Sequence, residues 1–258
     1  VIIKSYADSI STRPVAIPGL GRDDLVLYEP GWFKDNGHTY QNIAFLAQDI
    51  WRPINKLSIT IGARFDYNSQ IGSQINPRLG IVYEPVKNSS VKVLYGRAYR
   101  APGPREQYAT FGFAYGNENL KPEVINTFEL AGVYRFKNFS NALNLYWNNL
   151  NDLIYAPIGT EINPDFMDHN IGKNVSKGIE YESKLVLGKR FQSFLNASYT
   201  ISENTVILNG TDSVYNHPDV APFKLNVGIS YQFYKHFFWN LNMFYRSKME
   251  KFYAPDPN

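Results

Sequence analysis

Residues 57–68, LSITIGARFDYN, separate into two sets when every second position is taken. Leu57, Ile59, Ile61, Ala63, Phe65 and Tyr67 form one; Ser58, Thr60, Gly62, Arg64, Asp66 and Asn68 form the other. A period of two is that of an extended strand, whose successive side chains point to opposite faces. The pattern recurs over 178–187, 224–233 and 237–246, and more weakly over 75–84, 91–100, 126–136, 142–149 and 191–201. Roughly ten strands of about ten residues follow, with a further one near the N-terminus. In this reading Ile59, Ile61, Leu225, Val227, Leu241 and Met243 share the apolar face, and Arg64, Asp66, Glu180, Lys224 and Asn242 the polar one.

Alternation alone fits either a soluble sandwich with its apolar faces inward or a membrane barrel with its apolar face outward. The connections discriminate. Those near 52–56, 85–90, 136–140, 188–190 and 234–236 are short, and between them lie long ones near 101–121, 156–175 and 202–221, with a moderate link at 68–74. Short and long connections alternate in an up-and-down outer-membrane barrel with tight periplasmic turns and long outer loops. Aromatic residues make up 16% of the chain, and Trp51, Tyr67, Tyr83, Trp147, Tyr155, Trp239 and Tyr245 fall at strand ends, where interfacial girdles belong. The expected fold class is all-β, a transmembrane antiparallel up-and-down barrel of which this chain supplies ten or eleven strands.

Other classes drop away. With no cysteine there is neither a disulfide framework nor a thiolate metal site. The net charge of +3 comes without a run of Lys or Arg, so no nucleic-acid partner is expected. No window of eighteen apolar residues suggests a membrane helix. His38, His169, His217 and His236 are scattered, Glu180 and Glu182 read as hydrated or protein-contacting rather than as an acid–base pair, and no cofactor motif is present. The five Asn-x-Ser/Thr sites, at Asn88, Asn138, Asn174, Asn196 and Asn209, are read as incidental. The expectation is a protein that is not an enzyme.

The alternation stops at YGRAYRAPGPREQY, residues 95–108, followed by GNENLKPE, residues 116–123. Pro102 and Pro104 cannot donate to a ladder and end the pairing there. Arg100-Ala101-Pro102, Arg105-Glu106-Gln107, the run Gly116 to Glu123, and Glu129-Leu130-Ala131-Gly132 resemble the barrel motifs of TonB-dependent outer-membrane receptors. AQDIWRPINKLSITIGARFDY (47–67), INPRLGIVYEP (75–85), NVSKGIEYESKL (174–185) and APFKLNVGISYQF (221–233) are similar to neighbouring segments of that family, in its order.

The resemblance implies a bacterial outer-membrane location, a wide barrel of about twenty-two strands, and an N-terminal plug that reaches TonB. It also implies energised uptake of a scarce ligand, most simply an iron-siderophore or related metal chelate. The charges Arg64, Asp66, Glu129, Arg135, Glu180, Glu182 and Lys184 are then expected in the lumen against water or the barrel's own plug, and the apolar face against outer-membrane lipid. Arg105, Tyr108, Phe111, Phe113 and Tyr115 are expected to form an aromatic and cationic outer loop suited to an anionic, ring-bearing chelate. The chain opens without signal-peptide grammar and closes on FYAPDPN without a final strand, so residues 1–258 are expected to be part of a barrel whose plug and last strands lie elsewhere. A passive porin and a structural or adhesive surface barrel are the rival readings.

Overall fold

The structure is a computed structural model that describes residues 2–4, 39–108, 110–111, 114–155, 167–208 and 211–249. The strands run in chain order as β1 (Ile2–Lys4), β2 (Thr39–Ile54), β3 (Leu57–Asn68), β4 (Gly72–Tyr83) and β5 (Ser89–Arg100). A short helix α1 (Pro104–Tyr108) and a small hairpin, β6 (Thr110–Phe111) and β7 (Ala114–Tyr115), precede β8 (Glu123–Phe136). Then follow β9 (Phe139–Tyr155), β10 (His169–Leu187), β11 (Phe191–Leu208), β12 (Thr211–Asn216), β13 (Phe223–Tyr234) and β14 (Phe237–Arg246). One antiparallel sheet takes up eleven of them in sequence order, β1-β2-β3-β4-β5-β8-β9-β10-β11-β13-β14, with β12 pairing onto β11 and β6–β7 apart. Among the described residues no helix is long and apolar enough to cross a membrane.

Pairing register carries the two faces across the whole sheet, because directly paired residues share a side. On one face Asp66 pairs with Gln74, Arg64 with Asn76, Gly62 with Arg78, and Arg78 with Gly96. That face continues through Leu94 with Glu129, Glu129 with Tyr146 and Arg135 with Ser140, to Ser140 with Lys184. Ala142 and Asn144 then meet Glu182 and Glu180. The other face pairs Ile59 with Ile81, Val93 with Leu130, Leu130 with Leu145, and Leu145 with Ile179. It ends on Leu225 with Tyr245, Val227 with Met243 and Ile229 with Leu241.

Nothing apolar meets across a dry core. Among the described residues the buried hydrophobics are Leu120, Val206 and Ala221, while Ile61 is 60% exposed and Met243 51%. The apolar face runs from Phe139 to Trp147 on β9 and from Phe191 to Ile201 on β11, spans of nine and eleven residues, which is the length a tilted strand needs to cross hydrocarbon. Asn126, Asn149, Lys177 and Glu203 then mark its upper limit on adjoining strands. Tyr181, inside the band, satisfies its hydroxyl on Asn141 at 2.7 Å. On β2, Asp49 is an exposed exception opposite Ile61.

Two expectations about loops need correction. Residues 169–175, read as loop, are the start of β10, and 202–208 are the end of β11, with 211–216 folding back on it as β12. Asn174, Ser202 and Asn204 alternate less clearly than the band below, because these strand ends stand above the lipid and have no apolar solvent to sort them. Asn174 Nδ2 donates to Ser202 Oγ at 3.0 Å and to Asn204 Oδ1 at 2.7 Å, and both partners are buried. The strand near the N-terminus is β2, sixteen residues long, to which Ile2–Lys4 adds a short pairing.

Candidate functional site

The lumen wall and the outer rim are the two places where function can sit. Arg64, Asp66, Glu129, Arg135, Glu180, Glu182 and Lys184 all fall on the single polar face traced above, as the period of two predicted. Asp66 is 7% exposed; it accepts from Arg64 Nε at 2.8 Å and from Asn76 Nδ2 at 3.1 Å. Arg78 and Arg97 join this cluster in a concave stretch of wall with Leu46 and Tyr99. Arg97 is there for a local reason: the β4–β5 ladder ends at Arg78 and Gly96, next to Pro77, and the Arg97 guanidinium donates to the Ile75 carbonyl at 2.5 Å and to Asn76 and Gln74. A second concavity is lined by Glu180, Glu182, Asn196, Ser198, Lys224 and Asn226. Tyr146 lies over Gly178, where a Cβ would come within 2.6 Å of its hydroxyl, and reaches Thr200 Oγ1 at 2.7 Å. Leu46, Ile50 and Phe244 share the polar face and are exposed there, so the wall offers apolar as well as charged surface.

At the rim, the proline-rich stretch proves to be a built joint. Gly103 caps α1, Pro104 takes its first position, and Glu106 reaches back to the Gly103 N–H at 2.6 Å. Arg100, the last residue of β5, holds Glu106 through both carboxylate oxygens at 3.0 Å and donates its Nε to Glu123 at 2.6 Å. The other Glu123 oxygen accepts the Ile154 N–H at 2.9 Å. One arginine thus ties the end of β5, the helix and the start of β8 together, and its acidic partner extends the tie to β9.

GNENLKPE continues the joint. Asn117 donates to the Asp168 carbonyl at 3.0 Å, and Asn170 exchanges bonds with both backbone groups of Lys121 while donating to the Asp152 carbonyl. Gly116 passes so close to Gln107 that a Cβ would meet its backbone at 2.3 Å, so no other residue fits. Pro102, Leu120, Pro122 and Glu123 are buried in the assembly. Burial works to raise the Glu123 carboxyl, but the bonds from Arg100 and Ile154 outweigh it and hold the group below the usual carboxylate range. Burial, aided by the Glu106 charge, pushes Asp168 up.

The five residues expected to recognise a ligand fall on α1, the small β6–β7 hairpin and one position outside the described residues. Arg105 is exposed on α1, and Tyr108, on the same helix, hydrogen-bonds through its hydroxyl to Gln70 of the β3–β4 turn. Phe111 and Tyr115 pair with Ala114 and Thr110 in the small hairpin, and Phe113 lies outside the described residues. Sequence reasoning quoted Arg100, Glu106, Asn117 and Glu123 without giving them work; their signal was the spacing of charged and amide side chains around two prolines. Asn170 lay in presumed loop and gave none. Among the described residues no group of His, Cys, Asp and Glu could hold a metal ion.

The family model for TonB dependent receptor-like β-barrels matches residues 14–258. The chain belongs to the TonB-dependent receptor β-barrel family. It is 30% identical over 125 residues to the vitamin B12 transporter BtuB of Vibrio cholerae serotype O1, an alignment covering 48% of this chain and 19% of that protein. It is also 30% identical over 114 residues to an iron-regulated outer membrane virulence protein of the same species, covering 42% and 18%. In fold, the siderophore receptor PirA from Acinetobacter baumannii matches 97% of this chain and 39% of its own with a TM-score of 0.68 at 19% identity. The receptor barrel described here is therefore an outer-membrane structure, and its alignments span under a fifth of the length of these curated relatives. Its open sheet is a partial barrel.

Proposed function

We propose that this barrel belongs to a receptor that takes up a scarce metal chelate, most simply an iron-siderophore, by energy-coupled transport through TonB. The observation that carries the reading is the continuous lumen face. Seven charged residues on one side of a wide sheet need water or a polar partner protein, because an apolar filling would bury the Arg64–Asp66 pair and leave the charges outside it uncompensated at several kcal/mol each, on the order of the burial penalty for a charge. A plug domain, contributed by sequence beyond these residues, fits that face: its charges would meet Arg64, Arg78, Glu129 and Glu180, and its apolar side chains Leu46, Ile50 and Phe244. The iron-regulated relative supports an iron ligand, and the transporter relative makes vitamin B12 the second arm of the test.

The rim supplies the ligand-facing end in this proposal. Arg105 and Tyr108 stand on α1, and Phe111, Phe113 and Tyr115 fall in the short stretch of sequence between it and the anchored GNENLKPE run, so recognition would take place on a loop whose two ends are fixed. Replacing Phe111, Phe113 and Tyr115 by Ser in the full-length protein should weaken chelate binding by one to a few powers of ten, since each ring contact contributes about 0.5–2 kcal/mol. Growth rescue of an uptake-deficient strain under iron limitation, beside rescue by vitamin B12, assigns the ligand. Ligand-independent conductance with no need for TonB would replace this reading with a porin.

A further inference from the structure

The lumen face changes character past β10. Charges stand on it from β3 to β10, among them Arg64, Arg78, Glu129 and Glu180. On β13 and β14 they are confined to Lys224 and Arg246, side by side at the upper end, and the lumen positions of β11 carry none. Below Lys224 and Arg246 the register sets uncharged side chains in rows across three strands. Phe194, Gly228 and Asn242 form one row, and Gln192, Ser230 and Asn240 the next, about 7 Å lower. The two rows line a recess of about 460 Å³, in the size range of small-molecule sites, with Lys184 of β10 at its side.

Gly228 shapes this recess. A Cβ there would come within 2.1 Å of the Phe194 ring, so the half-buried ring occupies the space that a side chain at 228 would fill. Gln192, Asn240 and Asn242 are exposed around it, and no side-chain hydrogen bond among the described residues uses their amides. The contrast is with Asn174 at the upper end, whose amide is spent on Ser202 and Asn204.

We propose that this recess is a subsite for an uncharged, polyhydroxylated group of the transported ligand. A primary amide offers both a donor and an acceptor, as a hydroxyl does, so a cluster of free amides matches neighbouring hydroxyls and has no use for a charge. The Phe194 ring supplies apolar surface for the carbon face of the same group, and Lys184 adds donors at the edge. A ligand that must move on needs contacts weak enough to leave, which neutral amides open to water give and a guanidinium gripping an anion does not. The plug has its charged partners on β3 to β10, so its docking leaves this sector to the ligand.

The inference rests on the reading of the barrel as an uptake receptor, and its test separates the two. Maltotriose, an uncharged polyol, is titrated into the full-length receptor in lauryldimethylamine oxide, free of sugar detergents, with binding read by saturation-transfer NMR. The parent should bind it in the millimolar range. The double variant Asn240→Ala, Asn242→Ala should bind about tenfold more weakly and Phe194→Leu a few-fold more weakly, since each neutral contact contributes modestly. Thr60→Ala, on the charged sector, should bind as the parent does. No binding by the parent overturns the proposal, as does equal affinity in the double variant judged folded by heat-modifiable gel mobility. Binding with the expected dependence, in a receptor that takes up neither a ferric siderophore nor vitamin B12 through TonB, keeps the subsite and removes the metal-chelate reading.

Discussion

Glu123 shows how much one side chain holds at the rim. It is 6% exposed and supplies one oxygen to Arg100 and the other to the Ile154 N–H. Removing it as Glu123→Ala takes the acceptor from that N–H, while Arg100, half in water, keeps its two bonds to Glu106. The expected local cost is about 1–2 kcal/mol, read as faster hydrogen exchange at residues 117–124 and 150–155 with the barrel band unchanged. The pH dependence follows from the lowered carboxyl. A depressed folded value means the stabilisation is present above the unfolded value of about 4.3 and is lost as pH falls through the folded one, so rim exchange should accelerate only below about pH 4. Asp168 runs the other way, since its raised value favours the proton in the folded state and its penalty grows as pH rises. Asp168→Asn removes that opposing limb while keeping the carbonyl that Asn117 uses, and an acid response unchanged in Glu123→Gln would refute the assignment.

At the scale of the strand, neighbours in sequence meet different solvents. Thr60 pairs with Ile50 and Gly80 on the lumen side, and Ile61 with Asp49 and Leu79 on the lipid side. Ile61→Arg should therefore impair assembly by about 2–4 kcal/mol, the cost of a cation near mid-membrane, while Thr60→Arg should be tolerated. Heat-modifiable gel mobility of the two variants compares them directly, and equal damage would mean the faces are misassigned. The turns make the same point about local chemistry. Gly188 closes the β10–β11 turn at a φ of 60°, a left-handed conformation that costs glycine nothing.

The sheet as a whole is open. Among the described residues β14 ends it on one side, and on the other β2 is paired outward over three residues, so both described edges carry backbone groups that hydrocarbon cannot satisfy. Closure by further strands of the same receptor is the proposal those edges support. The 258-residue chain alone should then fail to give a heat-modifiable, protease-resistant band after refolding into vesicles, and a longer chain supplying the remaining strands should restore it. A stable inserted species from this chain alone would instead point to closure by association of copies, readable as a larger mass in native gels.

Strand identity, the two faces and the family were legible in the residues from 57 to 68 and their echoes, because water on one side and lipid on the other impose a period of two on every strand that separates them. That the seven charged residues share one face was legible for the same reason. Where that sorting pressure ends, legibility ends: Asn174, Ser202 and Asn204 are strand residues held by side-chain amides and hydroxyls, and composition read them as loop. The rim joint lay beyond sequence reasoning for a different reason. Arg100, Glu106, Glu123 and Ile154 come from four elements, and which acceptor meets which donor depends on the register of β5, β8 and β9 against one another, a property of the assembled sheet that no local pattern encodes.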